Sequence, residues 1–427
     1  MQKQEIYFET YGCTANKNST QIMQGLVIQA GLNLTTNPEI ADLIIINSCI
    51  VKDPTEQSIR RKIQDYLKQG KKVILAGCMS RLYAKKLKQS NLYFLDTTQV
   101  KNVVNLIKDI LKNSYKEEKY LSLRNEVKLS LVKVSEKPIA ITQISEGCLG
   151  ECAYCIVRLA KGKLFSYPIE EVLSSIKKDI ELGSKEIQIT SQDCASYGND
   201  SGKYLLPELL KKITEIKGNF KIRLGMINPN NIFPILDDLT EIYKHKKMFK
   251  FIHIPIQSGS NKVLKEMKRK YKIEDVLKII KKFKEEIPEI LISTDIIVGY
   301  PTETEQDFEE TLSLIKEIKP EILNRSNFYS RPFTEAEKLK PLALKIISKR
   351  AKTLQDLHLE ICASIQKEFI GKEFEVLLDE KGFPGTFLGR TSSYKLVAIQ
   401  SKEDILGKTI KVKIKSSTPH YLIGEIT

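Results

Sequence analysis

The chain has 427 residues, 41% hydrophobic and 28% charged, the composition of an ordinary globular protein long enough for two or three domains. Its 68 Lys and Arg against 53 Asp and Glu leave a formal net charge of +15, which suits a polyanionic partner, most often nucleic acid. Eight cysteines are too sparse for a disulfide scaffold, no run reaches the roughly 18 apolar residues of a membrane span, and MQKQEIYFET has no apolar signal core, so reduced thiols in the cytoplasm are expected.

Residues 1–115 alternate strand and helix patterns. Strands are expected at Glu5 to Glu9, Leu43 to Ile46, Lys72 to Ala76 and Tyr93 to Leu95. Helices are expected at Asn18 to Gln29, Thr55 to Leu67, from about Leu82, and at Val100 to Leu111. That order predicts a parallel sheet covered by helices. Cys13, Cys49 and Cys78 each follow one of the first three strands. The carboxyl ends of parallel strands share one edge, where open α/β sheets place their ligands. The three thiols should therefore converge as a second cluster-binding triad, although a lone free cysteine is often simply buried.

Residues 116–138 read as a linker or hairpin. A central domain occupies 139–367, with strands at Ile139 to Ile144, Glu186 to Thr190, Lys221 to Gly225, Phe251 to Ile254, Leu291 to Val298 and Ile322 to Phe328. Helical patterns separate them: Ile169 to Leu182, Leu206 to Ile216, Ile232 to Tyr243, Lys262 to Glu286 with a break near Lys272, and Glu305 to Ile318. These β–α units are too few to close a TIM barrel, so an open six-stranded partial barrel is expected. Residues 368–427 change to short strands between Gly and Pro turns, which suggests a small OB-like β-barrel. Its candidate RNA-facing side chains are Phe387, Arg390, Tyr394, Lys395, Lys411, Lys413, Lys415 and Tyr421, with an ordinary solvated strand face as the alternative.

The chemistry centres on SEGCLGECAYCIVRLAKGKLFSYP, residues 145–168. Cys148, Cys152 and Cys155 stand at C-x3-C-x2-C spacing on a loop after the first central strand. Three thiolates can hold three corners of a cubic iron–sulfur cluster and leave the fourth iron open. An open iron can chelate a small molecule and pass it one electron. A structural zinc site is the alternative, but zinc wants four ligands, usually in two close pairs, and the triplet has no partner nearby. Polar residues gather at the other strand ends. Ser191, Gln192 and Asp193 in TSQD would face the cluster loop and hold an ammonium. His253 and Gln257 lie in IHIPIQSGS, and Asp295 and Gly299 in STDIIVGYPTET, where glycine would allow close approach to an adenine or ribose. Tyr154 would pack near the adenine. His253 alternates with apolar residues and also reads as a core histidine. Cys362 reads as core, and Cys194 has no assigned role.

The loop resembles the signature of the radical SAM superfamily. YGCTAN, NSC, AGC, EGCLGECAYC, TSQD, GMINP, HIPIQSGS and TDIIVGYPTE, in that order, resemble the radical SAM methylthiotransferases over nearly the whole chain. CIVRLAKGKLFSYP is most similar to the archaeal and eukaryotic branch acting on threonylcarbamoyladenosine in tRNA. The resemblance implies an α/β fold of three parts: an N-terminal parallel-sheet domain, a radical SAM (β/α)6 core and a C-terminal TRAM barrel that binds RNA. It implies two [4Fe-4S] clusters, the radical one on Cys148, Cys152 and Cys155 and an auxiliary one on Cys13, Cys49 and Cys78. It also implies S-adenosylmethionine, a tRNA anticodon loop, a reductant protein and a sulfur source. The implied reaction inserts a methylthio group at carbon 2 of the modified adenosine at position 37. The rivals are another modified adenosine, a ribosomal protein side chain, or, in another class, an electron carrier or an RNA-binding protein with structural clusters. One departure is Phe333, where the family's R-P-G-T turn has glycine.

Overall fold

The computed structural model describes residues 4–51 and 53–427. The first elements are β1 (Glu5–Thr10), α1 (Thr14–Gln29), β2 (Asn33–Thr35), β3 (Leu43–Ser48), α2 (Asp53–Lys68), β4 (Lys72–Gly77), α3 (Ser80–Leu87), β5 (Leu92–Asp96), α4 (Val103–Leu111) and α5 (Glu117–Tyr120). The five strands make one parallel sheet, β2-β1-β3-β4-β5. Every residue of β3, LIIINS, is buried, as expected of a central parallel strand covered on both faces. Apolar periodicity places the start of α1 at Asn18, but the structure begins it a turn earlier, with Cys13 as its N-cap.

After α5 the segment to Pro138 is an irregular strap rather than a hairpin. It crosses α1 at Gly25, where a Cβ would stand 2.4 Å from the Val132 carbonyl oxygen. The Val134 N–H donates to the Gln21 carbonyl at 2.9 Å. Lys133 pairs with Asp179 at 2.7 Å, and buried Lys128 pairs with buried Glu146 at 2.5 Å. The strap thus fastens the first sheet to the central region.

That region comprises β6 (Ile139–Gln143), β7 (Ser145–Glu146), α6 (Val157–Lys161), β8 (Phe165–Ser166), α7 (Ile169–Glu181), β9 (Glu186–Thr190), α8 (Leu206–Glu215), β10 (Lys221–Leu224), α9 (Pro229–Ile232), α10 (Leu236–Tyr243), β11 (Phe251–His253), α11 (Asn261–Glu266), α12 (Ile273–Glu286), β12 (Leu291–Val298), α13 (Glu305–Ile318), β13 (Ile322–Asn327) and α14 (Leu344–Lys367). Six parallel strands form two ladders, β6-β9-β10 and β11-β12-β13. Ile222 bridges them, receiving from Phe249 N–H and donating to the Lys247 carbonyl. The expected open six-stranded barrel is therefore present, with one seam that lacks a regular ladder.

The last elements, β14 (Glu373–Lys381), β15 (Thr386–Arg390), β16 (Leu396–Gln400), β17 (Thr409–Ser417) and β18 (Leu422–Ile426), close a barrel in the order β14-β15-β16-β18-β17. This barrel is cemented to the central strands. The Tyr394 ring lies 4.8 Å from those of both Phe249 and Phe251, and its hydroxyl donates to Glu186 at 3.0 Å. The Lys250 N–H donates to the Ser392 carbonyl at 2.8 Å.

Asp379 lies in that joint. Burial pushes its carboxyl up to about 8, with Arg390 opposing and Glu186 and Glu380 adding to the rise. A carboxyl raised in the folded state contributes stability that is full below its unfolded value and lost as pH rises through its folded value. Thermal unfolding should therefore show a midpoint that falls between about pH 4 and 8. Asp379→Asn should flatten that fall, and an unchanged pH profile would refute the assignment.

Candidate active site

Local backbone geometry gathers the first triad. Cys13 caps α1, accepting from the Asn16 and Lys17 N–H groups. Gly12, at φ +103°, lies against Cys49: a Cβ there would stand 3.0 Å from the Cys49 sulfur. The Cys78 N–H donates to the Ser48 carbonyl at 3.0 Å, tying the β4 turn to the β3 turn. Buried Asn16 stitches the three turns together. Its amide donates to the Tyr11 and Ser48 carbonyls at 2.8 and 2.9 Å, and the Cys78 thiol faces its oxygen at 4.0 Å. Its sequence signal was its place in YGCTAN, just past Cys13, but only the fold reveals the stitch.

The second triad sits on a pinched loop. β7 and β8 pair as a two-rung antiparallel ladder at its base. Gly147, at φ +73°, passes so close to the returning chain that a Cβ would fall 2.0 Å from the Lys163 carbonyl oxygen. The Cys148 N–H donates to the Gly162 carbonyl at 3.2 Å, and the Gly150 N–H to the Cys148 sulfur at 3.2 Å. A Cβ on Gly150 would stand 3.2 Å from the Cys148 sulfur and 3.8 Å from that of Cys152. Two sulfurs therefore flank the same bare backbone.

The loop leads straight into α6, and α6 docks on the first sheet. Ile156 and Ala160 are buried in the same apolar cluster as Cys78 and Met79. The Arg81 guanidinium donates to the Leu159 and Ala160 carbonyls and pairs with Asp96 at 3.0 Å. The residue after Cys155 and the residue after Cys78 thus share one core, which brings the two triads to a common seam.

The donor chemistry fits clusters. Burial pushes the Cys78 and Cys148 thiols up to about 12 and Cys155 to about 11, so metal binding must displace their protons. Among the described residues, no three His, Cys, Asp or Glu side chains are gathered as ligands of a single ion. Zinc needs its thiolates about 2.3 Å from one centre. A cubic cluster takes one thiolate per iron, at separate corners.

The strand-end residues divide into open and committed groups. The Gln192 side-chain oxygen is buried without a partner, a free acceptor suited to a ligand donor such as an ammonium. Asp193, beside it, is committed: it accepts from the Ala195 and Asn228 N–H groups and from the Asn231 amide. Ser191 donates to the Cys194 sulfur, and Cys194 is buried in the core. His253 shares Asp295 with Asn324, at 2.9 and 2.7 Å. Gln257 adopts φ +77°, and its N–H donates to the Asp295 carbonyl. Tyr154 packs beside Met267, Tyr300 and Phe328.

At Gly299, φ +79°, a Cβ would strike Ile347 of α14 at 2.6 Å, so its bareness also serves helix packing. The structure turns several of the expected RNA-facing residues inward. Lys395 is buried, ion-paired with Glu321 and set over the Phe369 ring, so it cannot meet RNA. Arg390 lies over the Tyr394 ring at 4.9 Å and beside Asp379, within the joint between the last barrel and the central strands. Phe387 and Tyr394 are buried as well. Lys411, Lys413 and Lys415 alternate outward on β17 and are exposed.

Arg269 was not anticipated, because it stands in a run of basic residues, MKRKYK, that reads as solvated. It is held instead against the cysteine loop, donating to the Cys152 sulfur at 3.2 Å, the Asn228 oxygen at 2.8 Å and the Pro255 carbonyl at 3.1 Å. The RPFT turn keeps a glycine-like backbone, with Phe333 at φ +68° and 59% exposed. Arg331 of that turn is buried and pairs with Glu56 of α2 at 2.8 Å.

Family models match three stretches: the Radical SAM superfamily at 142–315, an uncharacterized protein family at 5–96 and the TRAM domain at 367–427. The chain is 38% identical over 423 residues to a probable threonylcarbamoyladenosine tRNA methylthiotransferase of Archaeoglobus fulgidus, covering 99% of this chain and 98% of that one. It is 35% identical to the threonylcarbamoyladenosine tRNA methylthiotransferase of Homo sapiens, covering 99% of this chain and 74% of the other. Its fold is similar, with a TM-score of 0.57 at 11% identity, to a radical S-adenosylmethionine methyltransferase, TsrM, from Kitasatospora setae, over 91% of this chain and 81% of that one.

Arg269 generates a test. In a full chain whose Cys13, Cys49 and Cys78 are alanine, bound iron would report the loop triad alone. There Arg269→Met should weaken iron retention against a chelator by about 10- to 100-fold, the usual cost of removing a group that orients a metal ligand. Retention equal to the parent's would refute its role beside Cys152.

Proposed function

The chain belongs to the threonylcarbamoyladenosine tRNA methylthiotransferases, and on that premise we propose how its residues divide the work. It is a radical SAM enzyme that methylthiolates tRNA. The finer reading is that carbon 2 of threonylcarbamoyladenosine at position 37 receives the group. The chain divides into 1–115 for the auxiliary site, 116–138 as strap, 139–367 as radical core and 368–427 as RNA-binding barrel. Cys148, Cys152 and Cys155 would hold the radical cluster, and Cys13, Cys49 and Cys78 the auxiliary one. When bound, the clusters supply one-electron cleavage of S-adenosylmethionine and the sulfur for insertion.

The observation that carries this division is the docking of α6 beside Cys78. Chemistry begun at one triad would have to finish where the other holds the sulfur, and proximity is worth several orders of magnitude in rate. Gln192 would receive the ammonium of the methionine moiety, and Asp193 would fix the loop that presents it. His253, Asp295 and Gln257 would line the opposite strand ends. Partners of the reaction would include a reductant protein and a sulfur source. Among the described residues no helix is long and apolar enough to cross a membrane, and the cytoplasm is the compartment proposed.

Single-cysteine variants separate the two roles. Cys13→Ala should still cleave S-adenosylmethionine to 5′-deoxyadenosine but insert no sulfur, whereas Cys152→Ala should lose both. Iron should fall from about eight to about four per chain in either triple-alanine variant. Full methylthiolation by Cys13→Ala would remove the auxiliary role.

The exposed lysines of β17 are tested through salt dependence. Lys413→Ala should weaken tRNA binding modestly and flatten the salt slope by about one unit per lost phosphate contact. Lys395→Ala should instead lower thermal stability, since it leaves Glu321 without its buried partner, and leave the slope unchanged. Equal slopes for Lys413→Ala and the parent would move the RNA grip off this strand.

A further inference from the structure

The RPFT turn, residues 331–334, is fastened to both halves of the seam. On one side the Arg331 guanidinium donates to the Val51 carbonyl at 3.0 Å and pairs with Glu56 at 2.8 Å. The Val51 N–H in turn donates to the Cys49 sulfur at 3.5 Å. On the other side the Ala336 N–H donates at 2.9 Å to the carbonyl of Ala153, which stands between Cys152 and Cys155. Within the turn the Thr334 hydroxyl donates to the Arg331 carbonyl at 2.7 Å, and the Phe333 N–H to the Glu337 carboxylate at 2.8 Å. These ties fix the backbone of the turn and leave the Phe333 ring outside it.

That ring is out of place on two counts. It is 59% exposed, so it gains little from burial. Its backbone, at φ +68°, lies in the left-handed region, which is costly for a bulky residue and natural for glycine. A chain selected for stability alone would carry glycine here. What the ring does have is a cationic setting. The Lys86 ammonium lies 5.5 Å from its centroid, and Lys85 and Lys88 are exposed on the same end of α3. The acids nearby are engaged elsewhere: Glu337 holds the Phe333 N–H, Glu335 pairs with Lys268 at 2.5 Å, and Glu56 pairs with Arg331. An exposed ring beside lysines offers what a single-stranded nucleic acid binds: a flat face for a base and charges for its phosphates. The lysines favour a polyanion over a protein partner.

We propose that Phe333 is a stacking platform for one unpaired base of the tRNA loop, a base other than the one modified, with Lys86 set for the adjoining phosphate. The ring is a positioning residue. It holds one loop nucleotide beside the seam and so orients the neighbour that enters. This rests on the reading that the target base is presented between the two triads.

The test measures tRNA binding by the full chain as salt is varied. Phe333→Gly should bind about 5- to 150-fold more weakly, the range of one base–aromatic stack, with its salt slope unchanged because no phosphate contact is lost. Lys86→Ala should instead flatten the slope by about one unit. Phe333→Tyr should restore most of the affinity. An abasic nucleotide is then placed at each loop position of the tRNA in turn. At one position it should weaken the parent as much as Phe333→Gly does, yet cost Phe333→Gly almost nothing further. Phe333→Gly should melt no lower than the parent, because glycine takes this backbone without strain. Equal tRNA affinity in Phe333→Gly and the parent would overturn the proposal and leave the ring to a protein partner. So would abasic losses that persist in full in Phe333→Gly at every position, or a Phe333→Gly chain that melts lower, which would make the ring structural. A parent that binds tRNA no more tightly than a loop-free duplex RNA would instead overturn the reading of a loop base presented at the seam, and the proposal with it.

Discussion

Everything functional depends on one short helix being buried in the wrong domain. α6 belongs in sequence to the cysteine loop, yet Ile156 and Ala160 complete the apolar core of the N-terminal sheet. Burying one isoleucine contributes about 1.5–3 kcal/mol, so the triads cannot separate without exposing that surface. Arg81 adds direction, because its guanidinium meets the carbonyls at the end of α6, where a helix carries partial negative charge. Buried ion pairs secure the same seam from two sides. Lys128 reaches Glu146 from the strap, and Arg331 reaches Glu56 from the last turn of the central barrel. Such pairs add little net stability, but breaking one leaves an uncompensated buried charge. They therefore punish misalignment more than they reward assembly, which suits a site whose two halves come from different sheets.

Strand ends were legible in the sequence because parallel strands announce themselves. LIIINS and KVILAG are short apolar runs bounded by turn residues, and a cysteine after each one must lie at the shared edge. The loop triad was legible from spacing alone. Residues whose role depends on a partner far away in sequence were not. Arg269 meets Cys152 across 117 positions, and nothing in MKRKYK distinguishes it from its solvated neighbours. At Gly299 the sequence records only that a Cβ is excluded, not what excludes it; the fold shows that Ile347 does. Lys395 and Arg390 looked like an RNA face, because composition cannot say which side of a small barrel is glued to another domain. The alternation of β17 was the better guide: Lys411, Lys413 and Lys415 flank Val412 and Ile414, which are buried.

The glued side of that barrel has a mechanical consequence. The Tyr394 ring sits against Phe249 and Phe251, which flank and begin the fourth central strand, and its hydroxyl reaches Glu186 at the start of the second. Aromatic packing of this kind, with a satisfied hydroxyl, is rigid. The exposed lysines of β17 are thus carried on the same body as the strands that hold His253 and Asp295 and the strand that Gln192 follows. Glu186 and Phe251 lie at the amino ends of their strands, so the barrel grips from the end opposite the site. On the proposed assignment, a tRNA held by its phosphates on that barrel would have to reach past the central domain to present a base at the seam. A fixed distance between grip and site would then help select which nucleotide arrives there. Selection by span would require that neither joint flex, and the burial of Tyr394 and Lys395, with Arg390 half-buried over the Tyr394 ring, meets that requirement.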